Sequence, residues 1–258
     1  MTSPAELARR LTLVCVVALT PLACEQLVEQ QDIRLLRRLP HDTAAYTQGL
    51  LFHEGFLYES TGRYGSSQLR KVALETGAVV QSVDLSDELF GEGLALVDSF
   101  LVQLTWKEGV ALVYDLASLT VQREHAFTGE GWGLCYDSER LVMSDGTATL
   151  QMRDPTTFEV TGTLEVTSNG IPLSGLNELE CVGGDVFANV YMTDRIVRID
   201  GESGRVLSEI DGTRLSMATP RPRDPGAVLN GIAFDPAGGR FWVTGKLWPE
   251  VLEIELVP

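Results

Sequence analysis

The chain has 258 residues, 44% of them hydrophobic, and a formal net charge of −16 at pH 7. This length and composition suffice for one buried core, so a single domain is expected. The strong negative charge disfavours binding to nucleic acid or to anionic lipid headgroups.

The N-terminus has the features of an export signal. Two arginines precede the apolar run 11–23, which is too short to span a bilayer as a mature helix. Residues 1–23 are therefore predicted to be a signal peptide. Cys24 resembles the lipid-carrying cysteine of bacterial lipoproteins, although Pro21 stands where that pattern usually has Leu. A lipid anchor and simple secretory cleavage both remain open, and the predicted location is periplasmic or lipid-anchored to the cell envelope.

The rest of the chain carries one pattern five times: a turn, a Gly-apolar pair, a short apolar run, a polar turn and a second apolar run. A four-stranded propeller blade needs ~40–45 residues, and the copies recur about 40 to 53 residues apart. The sequence therefore predicts an all-β fold, a five-bladed β-propeller with four-stranded antiparallel blades. Residues 32–258 would form this single catalytic domain. The copies align on positions 49, 93, 133, 178 and 231.

Each copy can be divided into short strands bounded by Gly, Asp or Ser turn residues. The second copy supplies four strands, and the fifth copy supplies three before the chain ends. The strands predicted for the second copy are 93–97, 100–105, 110–115 and 120–126, and those predicted for the fifth copy are 231–235, 240–245 and 251–257.

The strand missing from the fifth copy is expected from the other end of the chain. Residues 32–39 form a strand-like segment, which would close the last blade and cover its open edge. No helix is predicted after the signal peptide. The Pro- and Arg-rich segment 216–226 is interpreted as an exposed loop inserted before the fifth blade.

The chain has four cysteines, and two remain, Cys135 and Cys181, once Cys15 and Cys24 are assigned to the export signal. In the repeat register they fall on opposite faces of their strands. The sequence therefore predicts buried free thiols, although export would take the protein to an oxidising compartment.

Candidate functional residues cluster in one class of turn. Strands of a blade alternate in direction, so the turn before the first strand and the turn after the second open on the same face. An aromatic-walled pocket with one carboxylate, one ammonium and several amides suits a small polar substrate with an apolar stem. Ordinary blade-end packing is the alternative. The turns of this class hold residues 46–48, 90–92, 106–107, 131–132, 144–145, 177–178, 189–191, 230 and 246–248.

Several motifs, in order along the chain, resemble the glutamine cyclotransferases of plants and bacteria. The resemblance covers nearly all of the chain after the leader. It implies a five-bladed propeller and an acyltransferase that cyclises N-terminal glutamine of peptides or proteins to pyroglutamate with release of ammonia. The motifs are Tyr46-Thr47-Gln48-Gly49-Leu50, Phe90-Gly91-Glu92-Gly93, Gly131-Trp132-Gly133-Leu134, Leu176-Asn177-Glu178-Leu179 and Thr244-Gly245-Lys246-Leu247-Trp248.

The resemblance also implies roles for nine residues of these turns, which are the candidate site residues. Glu92 would be the proton-transferring acid/base, and Lys246 the cation near the γ-carbonyl oxygen. Tyr191 stands where the family usually has Trp, which puts substrate preference in doubt. The amides that position the substrate would be Gln48 and Asn177, and the aromatic wall would consist of Tyr46, Phe90, Trp106 and Trp132.

No step of this reaction requires a metal, and no zinc-binding or His-triad motif is present. A structural divalent cation in the central channel, held by Glu178, Glu180 or backbone carbonyls, is an open alternative. Two other functions also remain open. A calcium-dependent propeller hydrolase could use Glu92, Asn177, Glu178 and Asn230 as ligands, and a non-catalytic propeller could bind peptides on the same face.

Overall fold

The computed structural model describes residues 27–220 and 222–257. The signal peptide predicted for residues 1–23 and the candidate lipid site at Cys24 lie outside this part of the chain. Nearly every regular element within it is a β-strand, and none of its helices is long and apolar enough to cross a bilayer. The all-β prediction is confirmed.

Three four-stranded antiparallel sheets follow one another, each built from consecutive strands, and we call them units 1, 2 and 3. Unit 1 comprises β2 (Thr47–His53), β3 (Phe56–Thr61), β4 (Gln68–Ala73) and β5 (Ala78–Asp84). Unit 2 comprises β6 (Gly91–Val97), β7 (Phe100–Thr105), β8 (Val110–Asp115) and β9 (Val121–Ala126). Unit 3 comprises β10 (Leu134–Tyr136), β11 (Leu141–Met143), β12 (Thr149–Arg153) and β13 (Val160–Glu165).

An eight-stranded sheet contains the other long strands, in two parts. Unit 4 comprises β16 (Leu176–Val182), β17 (Asp185–Val190), β18 (Arg195–Asp200) and β19 (Val206–Asp211). Unit 5 comprises β20 (Leu229–Asp235), β21 (Arg240–Gly245), β22 (Glu250–Val257) and β1 (Glu29–Pro40). A small hairpin of β14 (Thr167–Ser168) and β15 (Ile171–Pro172) precedes unit 4.

The N-terminal strand occupies the outer place of unit 5, as the sequence predicts. β1 pairs antiparallel with β22, from Asp32 opposite Val257 to Pro40 opposite Glu250. Its first three residues also pair in parallel with β19, which joins units 4 and 5 into one sheet. Ion pairs cross the β1–β22 seam on its exposed side: Arg34 with Glu255, Arg37 with Glu253 and Arg38 with Glu250.

The hydrophobic core consists of five clusters, each between two neighbouring units. Four clusters join consecutive units, and the fifth packs unit 1 against unit 5 through residues such as Leu50 and Trp242. The first strands lie innermost, where backbones approach closely. A Cβ on Gly93 would lie 2.5 Å from the backbone nitrogen of Leu134 in the next unit, so only glycine fits there.

Glu178 stands at the glycine position of the fourth copy and bridges two other units instead. Its carboxylate accepts hydrogen bonds from the backbone N–H of Leu50 at 3.1 Å and of Ile232 at 2.7 Å. Glu180 accepts the N–H of Phe234 at 3.0 Å. Burial raises the pKa of both carboxyls, that of Glu180 to about 8. These two groups hold inner strands together.

The interpretation of segment 216–226 as an exposed loop is wrong for its first part. Residues Thr213–Ala218 form helix α1, in which Leu215 packs into the core between units 4 and 5. The hydroxyl of Thr219 closes the helix by donating to the carbonyl of Leu215 at 2.9 Å. A helix of six residues is too short to show a hydrophobic period, and so the sequence did not predict it. Residues 222–225 are exposed, as expected.

The prediction of free thiols at Cys135 and Cys181 is also wrong. The two cysteines form a disulfide with Cα atoms 5.5 Å apart, joining β10 of unit 3 to β16 of unit 4. In the repeat register the two side chains have opposite orientations, which predicts that they lie apart. Neighbouring units pack the front of one sheet against the back of the next, so side chains of opposite orientation meet in the core between them.

Candidate active site

A cavity of about 410 Å³ opens where the first strands of the units begin and the second strands end. All nine candidate residues line it, and they reach it from all five units. They lie in the predicted class of position, at the start of β2, β6, β10 and β16 or just after β7, β17 and β21. The lining residues are Tyr46, Gln48, Arg63, Phe90, Glu92, Trp106, Trp132, Asn177, Tyr191, Asp224 and Lys246.

β-Bulges direct the polar side chains towards the cavity. Pairing of the first and second strands shifts register between Thr47 and Gly49, between Gly91 and Leu94, and between Leu176 and Leu179. A bulge leaves residues unpaired and turns their side chains out of the regular alternation. Gln48 lies inside the first bulge, Glu92 lies with Gly93 inside the second, and Asn177 lies with Glu178 inside the third.

Glu92 is the buried acid of the cavity, with 4% of its surface exposed. Gln48 donates a hydrogen bond from Nε2 to its Oε1 at 2.8 Å. Burial raises the pKa of Glu92 well above its usual value; attraction by Lys246 opposes this shift, and repulsion by Glu108 and Glu130 adds to it. A raised pKa makes the Glu92 carboxylate a stronger base towards a ligand proton, which the carboxyl can later return.

Lys246 is the buried cation, with 3% exposure. Its Nζ lies 4.9 Å from the ring centroid of Tyr46 and 5.3 Å from that of Tyr191. Burial lowers its pKa to about 8, against the attraction of Glu92. No carboxylate or hydrogen-bond acceptor among the described residues contacts this ammonium, so its donors are free for a ligand.

The side-chain amides of Gln48 and Asn177 complete the polar side of the cavity. Asn230 donates to the side-chain oxygen of Gln48 at 3.4 Å and thereby turns its Nε2 towards Glu92. Asn177 is 3% exposed, and its Oδ1 is buried without a hydrogen-bond partner within the described chain. A buried orphan acceptor is costly, and a ligand N–H in the cavity would satisfy it.

The aromatic wall forms two groups of rings. Phe90 lies 5.5 Å from Trp106 and 5.3 Å from Tyr64 between ring centroids, and Trp132 meets Tyr191 edge-on at 5.3 Å. The indole of Trp132 lies against Gly146, where a Cβ would come within 2.7 Å of the ring. The glycine in Asp145-Gly146-Thr147 therefore makes room for the wall.

Arg63 and Asp224 line the cavity mouth but were not among the candidates. The Arg63 guanidinium lies 4.8 Å from the Tyr46 ring centroid and 3.3 Å from Oδ2 of Asp224. Arg63 follows the second strand of unit 1, the class of turn expected to hold the site, so its position was available from the sequence. Asp224 lies in the segment interpreted as a loop, and no sequence pattern links it to this cavity.

Potential metal ligands do not cluster in this region. The described residues contain no group of three or more His, Cys, Asp or Glu side chains arranged to hold an ion. Glu178 and Glu180, the candidates for a channel cation, direct carboxylate oxygens at backbone N–H groups.

Comparison with known proteins gives three consistent matches. The sequence model of a family described as glutamine cyclotransferase matches residues 9–256. A glutaminyl-peptide cyclotransferase of Arabidopsis thaliana is 42% identical over 228 residues, covering 87% of this chain and 71% of the relative. The crystal structure of Myxococcus xanthus glutaminyl cyclase superposes with a TM-score of 0.85 and 39% identity, over 89% of this chain and 98% of that one.

Proposed function

The chain belongs to the glutamine cyclotransferase family, and from that premise we propose that it cyclises the N-terminal glutamine of peptides in the cavity around Glu92. The observation that carries this assignment is the presence, in one aromatic-walled cavity, of a buried, hydrogen-bonded carboxyl and a buried ammonium that has no hydrogen-bond acceptor among the described residues. The pKa of Glu92 is raised well above its usual value and that of Lys246 is lowered to about 8, the kind of perturbation that is found at catalytic sites.

The reaction is an acyl transfer within one residue. The α-amine of the substrate attacks its own γ-carboxamide carbon, a new C–N bond closes the five-membered ring, and the original C–N bond breaks to release ammonia. The flexible glutamine side chain must first fold back on itself. Phe90, Trp106 and Trp132 favour this compact shape by restricting the space around it.

Glu92 serves both proton transfers in this proposal. As a carboxylate it takes a proton from the attacking amine, and it returns that proton to the departing nitrogen. The hydrogen bond from Gln48 keeps the carboxyl oriented while its charge changes. Asn177, through its free Oδ1, accepts an N–H of the substrate.

Lys246 stabilises the oxygen of the amide under attack. Negative charge develops on the γ-carbonyl oxygen, and a free buried ammonium is a strong donor to it. Tyr46 and Tyr191 flank the ammonium and keep bulk water away. Because each step has a side chain assigned to it, the proposed mechanism requires no metal ion.

The fold itself we interpret as a five-bladed β-propeller, with units 1 to 5 as its blades. Two features support this interpretation. The five core clusters join the units in a cycle, and β1 completes unit 5 with a long antiparallel pairing, whereas its contact with β19 involves three residue pairs. The eight-stranded sheet would then be two blades bridged at one edge.

Export is also part of the proposal. A disulfide between Cys135 and Cys181 fits the oxidising periplasm or cell envelope better than the cytosol. The signal peptide and a lipid anchor at Cys24 remain proposals, which mass analysis of the protein from the membrane and soluble envelope fractions would test.

The function is tested by incubating the mature protein with a short Gln-initiated peptide, with and without a strong chelator. We expect ammonia release together with loss of one ammonia mass from the peptide, unaffected by the chelator. Glu92→Gln should remain folded and lose at least about a hundredfold in kcat, since general acid–base catalysis supplies roughly that much or more. Near wild-type turnover in this variant would show that Glu92 has another role.

The other outcomes separate the alternative functions. Activity abolished by the chelator would favour a metal-dependent hydrolase. Peptide binding without ammonia release would favour a non-catalytic propeller.

A further inference from the structure

Glu130 connects the two groups of the aromatic wall. Its Oε2 accepts a hydrogen bond from Nε1 of Trp106 at 2.8 Å and another from Nε1 of Trp132 at 3.0 Å. Trp106 follows β7 of unit 2, whereas Trp132 precedes β10 of unit 3. One carboxylate oxygen therefore links indoles from two different units.

We propose that Glu130 is a positioning residue of the cyclisation site, which fixes the indoles of Trp106 and Trp132 at the spacing that holds the folded glutamine side chain. This inference rests on the proposed function and adds to it a residue that does not line the cavity. Glu130 acts through the indoles and touches no reacting atom.

The contacts around Glu130 show why the wall depends on it. Trp106 packs on Phe90, and Trp132 packs on Tyr191. The carboxylate thus closes a continuous arc of rings around the cavity. Hydrogen bonds from a neutral donor to an ionised acceptor are roughly twice as strong as those between neutral groups, so this acceptor restrains both rings.

Lys107 adds a second restraint on the same residues. Its Nζ lies 3.7 Å above the Trp106 ring centroid and 3.8 Å from Oε1 of Glu130. The ammonium therefore contacts the ring and the carboxylate oxygen that the indoles leave free. Lys107 is half exposed and can turn to solvent, so it supports the arrangement without defining it.

The charge of Glu130 also acts on Glu92. Glu130 and Glu108 are both close enough to repel the Glu92 carboxylate. Removing either charge should move the acidic limb of the kcat/KM profile to lower pH, because Glu92 then ionises more easily. The charged and titratable groups around Glu92 are Lys246, Glu108, Glu130, Tyr46 and Tyr64, with the Arg63–Asp224 pair at the mouth.

Three variants separate the hydrogen bonds from the charge. Glu130→Gln removes the charge but keeps a carbonyl oxygen with two lone pairs for the two indoles. Glu130→Ala removes both the charge and the acceptor. Glu108→Gln is the matched control, because it removes a similar charge from a residue bonded to Tyr64 and to the Phe90 N–H but to no indole. Each variant is measured by near-UV circular dichroism, acrylamide quenching of tryptophan fluorescence, and pH profiles of kcat and KM.

We expect Glu130→Ala to lose part of the tryptophan dichroism, to become more quenchable, and to lose about tenfold to a hundredfold in kcat/KM. Glu130→Gln and Glu108→Gln should keep the wild-type spectra and stay within about threefold of wild-type kcat/KM at their own pH optima, with acidic limbs moved to lower pH.

The proposal is overturned if Glu130→Ala keeps the wild-type spectra and kcat/KM, or if Glu130→Gln is as impaired as Glu130→Ala. The circular dichroism and quenching measurements do not depend on enzymatic activity. A wild-type protein that releases no ammonia would refute the proposed function, while the spectral comparison would still decide whether Glu130 holds the indoles.

Discussion

The side-chain amide of Gln48 donates a hydrogen bond of 2.8 Å to the buried carboxyl of Glu92, and the two residues come from the first strands of neighbouring units. An amide N–H bonded to a carboxylate stabilises its ionised form. Burial favours the neutral form of the same group. These two effects act on Glu92 together with the attraction of Lys246 and the repulsion of Glu108 and Glu130. Their balance sets the pH at which Glu92 could accept a proton in the proposed reaction.

Replacing Gln48 should therefore change the pH dependence of the reaction. In Gln48→Met the ionised carboxyl loses its donor, the pKa of Glu92 rises further, and the acidic limb of kcat/KM should move to higher pH. The profile is measured by ammonia release across the acidic and neutral range. Gln103→Met is the matched control, since Gln103 is a buried amide bonded to Ser60 and Tyr114 outside the cavity. A profile of Gln48→Met that coincides with that of the control would contradict this role of Gln48.

The buried ammonium of Lys246 should lower the free energy of unfolding while it increases kcat. Its pKa of about 8 in the folded protein lies below the usual 10.5, which corresponds to roughly 3 kcal/mol of destabilisation at pH 7. Between about pH 8 and pH 10.5 Lys246 is protonated in the unfolded chain but neutral in the folded protein. The free energy of unfolding of the wild type should therefore rise as pH increases from about 8 towards 10.5. Lys246→Met should be more stable at pH 7 by up to about 3 kcal/mol, without this rise, and slower in kcat by about a hundredfold to a thousandfold.

Urea unfolding at pH 7 and pH 10, together with ammonia release, tests both halves of this prediction. Lys71→Met is a suitable control, because Lys71 lies on the outer part of unit 1, over the rings of Phe56 and Tyr58. If Lys246→Met unfolds at lower urea than the wild type at pH 7, the ammonium has a stabilising partner that the structure does not show.

Much of the strand pattern could be predicted because it depends on local alternation and turn residues. β7 and β8 have the predicted bounds, and β1 pairs with β22 as the three-stranded last copy required. The candidate cavity residues followed from the same register, since turns at one end of successive strands converge. Their catalytic roles rest on the resemblance and on the geometry of the cavity.

The failures have a different physical origin, because they depend on contacts between units. The pairing of Cys135 with Cys181 depends on how one sheet stacks on the next, which the register of a single strand does not contain. The hydrogen bonds that Glu178 accepts from backbone groups of two other units are likewise contacts that the repeat pattern does not describe. Asp224 lines the cavity from a segment outside the repeated strands, which the repeat pattern does not describe.

The disulfide should contribute substantially to stability. It links residues separated by 46 positions in the sequence, and closing a loop of that length is worth about 4 kcal/mol in the chain-entropy description. The double variant Cys135→Ser, Cys181→Ser should therefore melt at a markedly lower temperature while keeping its activity at low temperature. Wild-type protein in strong reductant should approach the same melting temperature. Free thiols located at Cys135 and Cys181 by alkylation and peptide mapping of the oxidised, unfolded wild type would contradict the pairing.

A buried ionic cluster joins the start of unit 1 to the end of unit 5. Glu59 is 1% exposed and accepts hydrogen bonds from the Thr47 hydroxyl at 2.7 Å and from Arg70. Nε2 of His41 lies 2.9 Å from the Glu59 carboxylate, and the other ring nitrogen of His41 lies 2.7 Å from the carbonyl oxygen of Trp248. Burial opposes ionisation of Glu59, but His41, Arg70 and Thr47 outweigh it and lower its pKa to about 2.

Glu59 should consequently govern acid stability. A carboxyl with a folded pKa of about 2 and an ordinary value of 4.5 stabilises the fold above pH 4.5, and that contribution of roughly 3 kcal/mol is lost as pH falls towards 2. Glu59→Gln leaves Arg70 paired with the partly exposed Asp42 and should lose about 3 kcal/mol at pH 7, with a flatter dependence below pH 5. Glu75→Gln, which breaks the exposed pair with Arg37, should change stability by less than about 1 kcal/mol. Urea unfolding of both variants from pH 7 to pH 3 distinguishes them, and equal stabilities would show that the buried cluster does not depend on the Glu59 charge.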